Sequence, residues 1–261
     1  MENVHNNILD PNYIPEELKT PYDVIELPSQ GLLYKDKLSK VKIEFLTAMD
    51  ENILSSPNLS SNPNEMINLL IKNKVKDLNM SPEDLLDGDR MAILIFLRAT
   101  AFGHMYQQMV YDPSEEDFVE VEIDLTQLEH KKLLIKPDNN DEFDFILPSS
   151  KKLIKFKFLT AGDEESIDNY DKELMKRRGD NLSQKITLRL EKCVTEIDGE
   201  RDKIKISNIL KKLPIMDSRT LRKYIEKNEP GINMETKGRT QGGGSVSCFL
   251  TLGANFFWPQ L

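Results

Sequence analysis

The sequence predicts an α+β protein built from two related halves, and three observations support this fold class. The segment at residues 45–51 recurs at residues 158–164, 113 residues further along the chain, with six of seven positions identical. Before each copy, apolar and charged residues alternate, as in a half-buried strand. Within each copy a threonine stands three residues before an aspartate, which is typical of a helix start. Each copy therefore predicts a strand that leads into an N-capped helix.

Residues 1–26 predict an extended arm. Three prolines at near-regular spacing each fix their own φ and favour extended geometry in the preceding residue. The segment also carries apolar side chains, among them Tyr13, Ile14 and Tyr22. Two interpretations stay open, a loose terminus or an arm that lies on a partner subunit.

A first α+β unit is predicted over residues 27–146. It opens with a Leu-Pro-Ser turn and a β-hairpin with strands at residues 32–34 and 41–45. Helical and extended patterns follow, with helices at 50–56, 65–78, from 81, and 90–108, and strands at 110–111, 118–125, 133–135 and 143–147. Arg98 is the one charge inside the most apolar helix, and we expect it to pair with an acid such as Asp89.

A second unit is predicted over residues 147–261. It also opens with Leu-Pro-Ser, which precedes the repeated segment by 11 residues here and by 18 in the first unit. The hairpin of the second unit is therefore expected to be shorter. The remaining patterns predict a strand at 154–157, helices at 163–178, 182–194, 205–213 and 218–227, a hairpin turn at 198–199, and strands at 234–236 and 246–252.

Composition limits the classes of function. The chain has 261 residues, 30% of them charged, and a net charge of −9, which indicates a soluble globular protein and argues against nucleic acid as a partner. The longest apolar run, residues 91–97, is far shorter than the roughly 20 residues that cross a membrane. No signal peptide is visible at the N-terminus. Cys193 and Cys248 lie far apart, which indicates free thiols in a reducing compartment.

No pattern in the chain predicts catalysis, a metal or a cofactor. His5, His104 and His130 lack the spacing of metal ligands, and the glycines at 242–244 lack the lysine and hydroxyl residue of a phosphate loop. We therefore expect no catalytic residue and no small-molecule substrate. The many carboxylates leave open a pair of the kind that glycosidases use, which only the fold can reveal.

Eight side chains are candidates for binding a partner protein because they are apolar and lie in the arm, the first hairpin or the aromatic C-terminus. They are Tyr13, Ile14, Tyr22, Leu32, Tyr34, Phe256, Phe257 and Trp258. The three aromatic residues at the C-terminus have two interpretations, a cap on the core of this chain or an anchor in the pocket of a neighbour.

Several ordered motifs resemble the baseplate proteins of T-even phages, the family of baseplate hub subunits and hub-assembly proteins of contractile-tailed phages. They are Leu27-Pro28-Ser29 with Gly31-Leu32-Leu33-Tyr34, the segment 45–51, Asp84-Leu85-Leu86 with Gly88-Asp89-Arg90 followed by Ile93 and Arg98, Phe102-Gly103 with Tyr106, and Asn255-Phe256-Phe257-Trp258-Pro259. The resemblance runs from about residue 20 to the end of the chain. Family members often carry paired cysteines in two hairpins, whereas here only Cys248 lies nearby. Metal binding is therefore not inferred from the resemblance.

The resemblance implies a structural component of the phage tail baseplate, in its central hub region. The expected partners are other baseplate hub or wedge proteins, and the expected location is the virion, after assembly in the host cytoplasm. One alternative is a chaperone or catalyst of hub assembly that is absent from the mature virion. A less favoured alternative is a cell-wall hydrolase.

Overall fold

The α+β class is confirmed. The computed structural model describes residues 20–56, 62–252 and 256–257, so Tyr13, Ile14 and Trp258 lie outside the described residues. Within them the chain forms seven α-helices and twelve strands, which are arranged in four sheets. One connected apolar core runs through these elements, and its largest fully buried side chains include Phe143, Phe156 and Phe256.

The first sheet has three antiparallel strands in the order β1-β2-β3. They span Tyr22–Glu26, Lys40–Glu44 and Val75–Lys76. Tyr22 lies opposite Glu44 and Glu26 opposite Lys40, so the last residues of the predicted arm form the first strand of the hairpin. The predicted arm over residues 1–26 therefore overlaps β1, and its boundary as a separate unit stays a prediction.

The predicted strand at residues 32–34 is wrong. Residues 27–39 connect β1 and β2 through successive turns, in which the Gln30 amide donates to the Leu27 carbonyl and the Tyr34 amide donates to the Gly31 carbonyl. Gln30 and Gly31 both have a positive φ. A Cβ on Gly31 would lie 2.6 Å from the backbone of Lys37, so only glycine fits this close approach.

Helices α1 and α2 lie between β2 and β3 in the chain, and α3 follows β3. They span Ala48–Leu54, Pro63–Lys74 and Asp87–Phe102. Between α2 and α3 the predicted helix from residue 81 is only a 3-10 turn, Pro82–Asp84. The helix predicted over 90–108 ends six residues early, because Gly103 leaves the helix at φ 86° and the chain continues as a strand.

A curled sheet of four strands has the order β12-β11-β5-β4. Its members in chain order are β4 Met105–Asp112, β5 Asp117–Asp124, β11 Glu235–Thr240 and β12 Ser245–Phe249. The Gln108 side chain in β4 joins the two outer strands, because its Nε2 donates to the Phe249 carbonyl at 2.9 Å. The two predicted units thus contribute one hairpin each to a single sheet. A separate short sheet pairs β6 His130–Lys131 with β10 Gly231–Ile232. The strand predicted at 133–135 is wrong, because β6 ends at Lys131 and these residues form no strand.

The last sheet is antiparallel and has the order β7-β8-β9. Its strands span Phe143–Ile146, Leu153–Phe156 and Val194–Ile197, and helices α4 Ala161–Arg178 and α5 Lys185–Cys193 lie between the second and third. The predicted division between residues 146 and 147 falls inside the β7–β8 hairpin, and the division into two units stays a prediction. Both three-stranded sheets follow the order strand, strand, two helices, strand. A common origin for the two halves stays a prediction.

The two predicted units are joined by backbone hydrogen bonds. The Asp87 amide donates to the Leu159 carbonyl at 3.4 Å, and the Ala161 amide donates to the Leu85 carbonyl at 2.8 Å. Gly88 packs so closely on Gly231 that an added Cβ would lie 2.5 Å from the Gly231 Cα. Helices α6 Lys203–Lys211 and α7 Ile215–Asn228 complete the second half. In the ranges that the structure describes, no helix has the length and apolar character needed to span a membrane.

Candidate functional site

The loop after β1 is held in place by Asp89 in the first turn of α3. The Asp89 carboxylate accepts from the Ser29 amide at 2.9 Å, the Ser29 hydroxyl at 2.5 Å and the Tyr34 hydroxyl at 2.7 Å. The Tyr34 hydroxyl in turn accepts from the Leu86 amide at 2.9 Å. Tyr34 is buried, and burial followed by the adjacent Asp89 carboxylate raises the pKa of its phenol. Its side chain is therefore part of the core and is not exposed for a partner.

The second Leu-Pro-Ser loop is also held by an aspartate, although without a tyrosine hydroxyl. Asp217, in the first turn of α7, accepts from the Ser149 amide at 2.7 Å and from the Ser150 amide at 3.0 Å. Both Leu-Pro-Ser loops are therefore tied to an aspartate at the start of a long helix. The sequence contained this signal, since 217–219 echoes the motif at 88–90, but the pattern did not show which groups the aspartates contact.

The expected pairing of Arg98 with Asp89 is wrong. The Arg98 Nε donates to the Phe256 carbonyl at 2.7 Å, and its Nη1 donates to the Gly103 carbonyl at 3.1 Å. Arg98 lies nine positions after Asp89 in the helix, which is about 13.5 Å along the axis, so the two side chains contact different neighbours. The guanidinium also lies 5.7 Å from the centre of the Tyr106 ring. Arg98 thus holds the Phe256 backbone beside the end of α3.

Phe256 and Phe257 are buried in the core of this chain. The Phe256 ring lies 5.1 Å from that of Tyr106 and 5.3 Å from that of Phe257, measured between ring centres. Their exposed fractions are 1% and 3%. Of the two interpretations of the aromatic end, this structure places these two residues in the cap on the core, with no side-chain surface left for a neighbour.

Two of the predicted contact residues, Tyr22 and Leu32, are exposed. Tyr22 and Val24 share the outer face of β1, where they lie opposite Glu44 and Lys42. The Lys42 ammonium lies 3.6 Å from the centre of the Tyr22 ring, a cation–π contact that holds the ring against the sheet. Leu32 is exposed in the loop that follows β1. The outer face of β1 thus exposes apolar side chains next to charged ones.

A second exposed apolar group was not predicted. We use the term hairpin tip for Met109, Tyr111 and Phe118, which lie on the outer face of β4 and β5 next to the turn. Their exposed fractions are 58%, 50% and 63%. Tyr111 and Phe118 lie directly opposite each other, with ring centres 5.6 Å apart and planes at 68°. Alternation predicted the strands, but their pairing and curvature decide which face is left uncovered.

Three carboxyl groups near the junction of the halves have a raised pKa. Asp87 and Glu164 line a cleft of about 260 Å³ together with Arg189, and burial is the main cause of the raised pKa of each. Burial likewise raises the pKa of Glu229, at the end of α7, to about 7. The Arg189 guanidinium lies 2.6 Å from the Glu164 carboxylate and partly offsets this effect. Of the three carboxyl groups, Glu229 is the one whose pKa lies near neutral pH.

Metal and thiol chemistry receive no support from the described residues. Within 20–56, 62–252 and 256–257, no group of three His, Cys, Asp or Glu side chains is arranged to hold a metal ion. Cys193 and Cys248 are free and buried. Burial raises the pKa of the Cys193 thiol to about 12, so it stays protonated and unreactive at neutral pH.

Comparison with known proteins identifies the family. A search of curated proteins and a search of solved structures each found no match to the chain. The family described as T4 bacteriophage base plate protein matches residues 20–244, which is more than half of the chain and spans both three-stranded sheets. The chain therefore belongs to the T4 bacteriophage base plate protein family.

Proposed function

We propose that this phage baseplate protein is a structural component of the central hub region and acts through contacts with other hub or wedge proteins, not as an enzyme. Family membership supports a role in the baseplate. Two separate exposed apolar surfaces, the outer face of β1 and the hairpin tip, support contacts with more than one neighbour. A subunit that joins two neighbours needs two such surfaces.

The outer face of β1 is suited to binding a protein through both backbone and side chains. Strand β1 is an edge of its sheet, and β2 is its one strand partner among the described residues. An edge strand presents free amide and carbonyl groups to which an extended segment can add. Tyr22 and Val24 would supply apolar contacts, while the Lys76–Glu44 ion pair at 3.2 Å lies on the same sheet.

Quantitative mass spectrometry of purified phage particles tests this proposal. We expect peptides of the chain in a fixed ratio to other baseplate proteins, at the same level after repeated purification. Peptides abundant in the infected-cell lysate and missing from the purified particles would contradict the proposal. That result would favour an assembly factor that leaves before the virion matures.

A cell-wall hydrolase is the second candidate, and one observation favours it. Burial raises the pKa of Asp87, Glu164 and Glu229, and a raised carboxyl pKa is a property that general acids require. The Arg189–Glu164 ion pair instead suggests a structural cluster. Clearing of purified peptidoglycan by the wild-type chain, with loss of clearing in Glu164→Gln or Glu229→Gln, would establish the hydrolase and overturn the structural role. We expect no clearing.

A further inference from the structure

We propose that the hairpin tip is a docking surface for a baseplate protein that presents an apolar pocket surrounded by lysine and arginine. This inference rests on the proposed function, because that function supplies the class of partner. It adds which surface of the chain is used and which chemistry the partner has. Three properties of the β4–β5 hairpin support it, namely its exposed aromatic pair, its rigidity and its charge.

The exposed apolar side chains of the hairpin tip form one continuous group. Tyr111 and Phe118 are cross-strand neighbours in edge-to-face contact, and Met109 lies two residues before Tyr111 on the same face of β4. All three side chains are at least half exposed. Removal of an aromatic side chain from water is favourable, so a partner that covers them would gain affinity. Paired aromatic residues beside a methionine are typical of the centre of protein interfaces.

The hairpin is rigid enough to present these side chains in one arrangement. Its strands pair over eight residues each, from Met105 opposite Asp124 to Asp112 opposite Asp117. At the turn, the Asp112 carboxylate accepts from the Ser114 amide at 2.8 Å. An ordered surface loses little conformational entropy when it binds, so more of its contact energy appears as affinity.

The charge of the hairpin indicates the partner. Between Arg98 and Lys131 the chain has eight carboxylates and no lysine or arginine, while the net charge of the whole chain is −9. At the base of the hairpin Glu122 lies opposite Arg239, which offsets part of this charge. At the turn, Glu115, Glu116 and Asp117 form no ion pair with any residue in the described ranges.

This uncompensated negative charge selects among possible occupants of the surface. Nucleic acid and a second copy of the same hairpin would both meet electrostatic repulsion. A protein surface with lysine and arginine around an apolar pocket would be attracted to the hairpin tip. The acidic residues at the turn would speed association with that surface and fix its orientation. Glu120 lies directly opposite Met109, so acid and apolar groups would enter the same contact.

The test uses tagged chains produced during infection by a phage that lacks its own copy of the chain. Tyr111→Ser combined with Phe118→Ser removes the aromatic pair, and Glu115→Lys reverses one charge at the turn. We expect the double variant to be at least about tenfold less abundant in purified baseplates, as for the loss of an interface hot spot. Glu115→Lys should reduce incorporation about threefold or more.

Matched control variants lie elsewhere on the surface. Met49→Ser and Ile204→Ser replace side chains that are 80% and 74% exposed, and Glu226→Lys reverses an exposed charge in α7. These controls should enter baseplates at the wild-type level. Equal incorporation of the double variant and the wild type would overturn the docking proposal while leaving the structural role intact. Absence of the wild-type chain from the particles would contradict the proposed function, and with it this inference.

The identity of the contacted surface gives a second readout. A photo-crosslinking aromatic residue in place of Phe118 should form a covalent product within assembled baseplates. Mass spectrometry should assign the product to a baseplate protein, at a segment that contains lysine or arginine. A product with an acidic segment, or no product in baseplates that contain the variant, would overturn the proposed chemistry of the partner.

Discussion

Asp89 and Asp217 show how single carboxylates position the loops on which each half is built. Each accepts backbone amide hydrogen bonds from a Leu-Pro-Ser loop more than 50 residues away in the chain. Local sequence patterns could not reveal these partners, and this explains the error at Tyr34. The run Leu32-Leu33-Tyr34 looks like a strand, but the Tyr34 hydroxyl reaches Asp89 only if the chain turns.

We expect Tyr34→Phe to lower the free energy of unfolding by about 1–3 kcal/mol, because it leaves the buried Leu86 amide without an acceptor and removes one donor from Asp89. Urea unfolding followed by circular dichroism measures this change. Tyr22→Phe is the matched control, since the Tyr22 side chain is exposed, and its effect should stay within about 0.5 kcal/mol. Equal stability of the two variants would contradict the network described for Asp89.

We expect Glu229→Gln to stabilise the protein above pH 7 and to have little effect near pH 4. Burial and the carboxylates of Asp87 and Glu164 raise the pKa of Glu229 to about 7, while Arg189 and Lys131 act in the opposite direction. The native state therefore retains a proton that the unfolded chain loses from about pH 4.5, so wild-type stability falls as the pH rises towards 7.

Glutamine mimics the protonated acid and escapes this loss, which is at most about 3 kcal/mol. Urea unfolding at pH 4 and pH 8 measures the difference between variant and wild type at each pH. Glu226 is exposed in α7, so Glu226→Gln should have the same free energy of unfolding as the wild type at both pH values. A constant difference between Glu229→Gln and the wild type would show that Glu229 does not titrate as described.

The repeated segment predicted the starts of two helices correctly. Helix α1 begins at Ala48 after Thr47, and α4 begins at Ala161 after Thr160. The side chains make different contacts. Thr160 accepts from the Asp163 amide at 3.2 Å, whereas the Thr47 hydroxyl donates to the Asp50 carboxylate at 2.8 Å. Predictions of elements failed where a short apolar run was ambiguous, as at 133–135, or where a glycine signal was overlooked, as at Gly103.

We expect Thr160→Ala and Thr47→Ala each to lower the free energy of unfolding by about 1 kcal/mol, because each loses the hydroxyl that organises a helix start. Thr100→Ala is the control, since Thr100 is exposed within α3 and its hydroxyl bonds to the Phe96 carbonyl. Alanine favours the helix at that position, so stability should be unchanged or slightly higher. Wild-type stability in both capping variants would refute the assignment of the caps.

The sequence predicted the α+β class and the family, but it did not predict the four-stranded sheet to which both predicted units contribute. Strands β4 and β5 come from one half and β11 and β12 from the other, and they pair through contacts between residues more than 100 positions apart, such as Glu122 with Arg239. No local periodicity carries that information. The hairpin tip was missed for the same reason, because only the assembled sheet determines which aromatic residues stay uncovered.

We propose that this chain is a permanent baseplate subunit that binds a basic neighbour through the hairpin tip. A cryo-electron microscopy reconstruction of purified baseplates would show both the chain and its neighbours. We expect ordered density for the chain, with Tyr111 and Phe118 buried against a neighbouring protein and lysine or arginine side chains beside Glu115 and Glu116. A map that lacks the chain, or one in which the hairpin tip faces solvent, would contradict the claim.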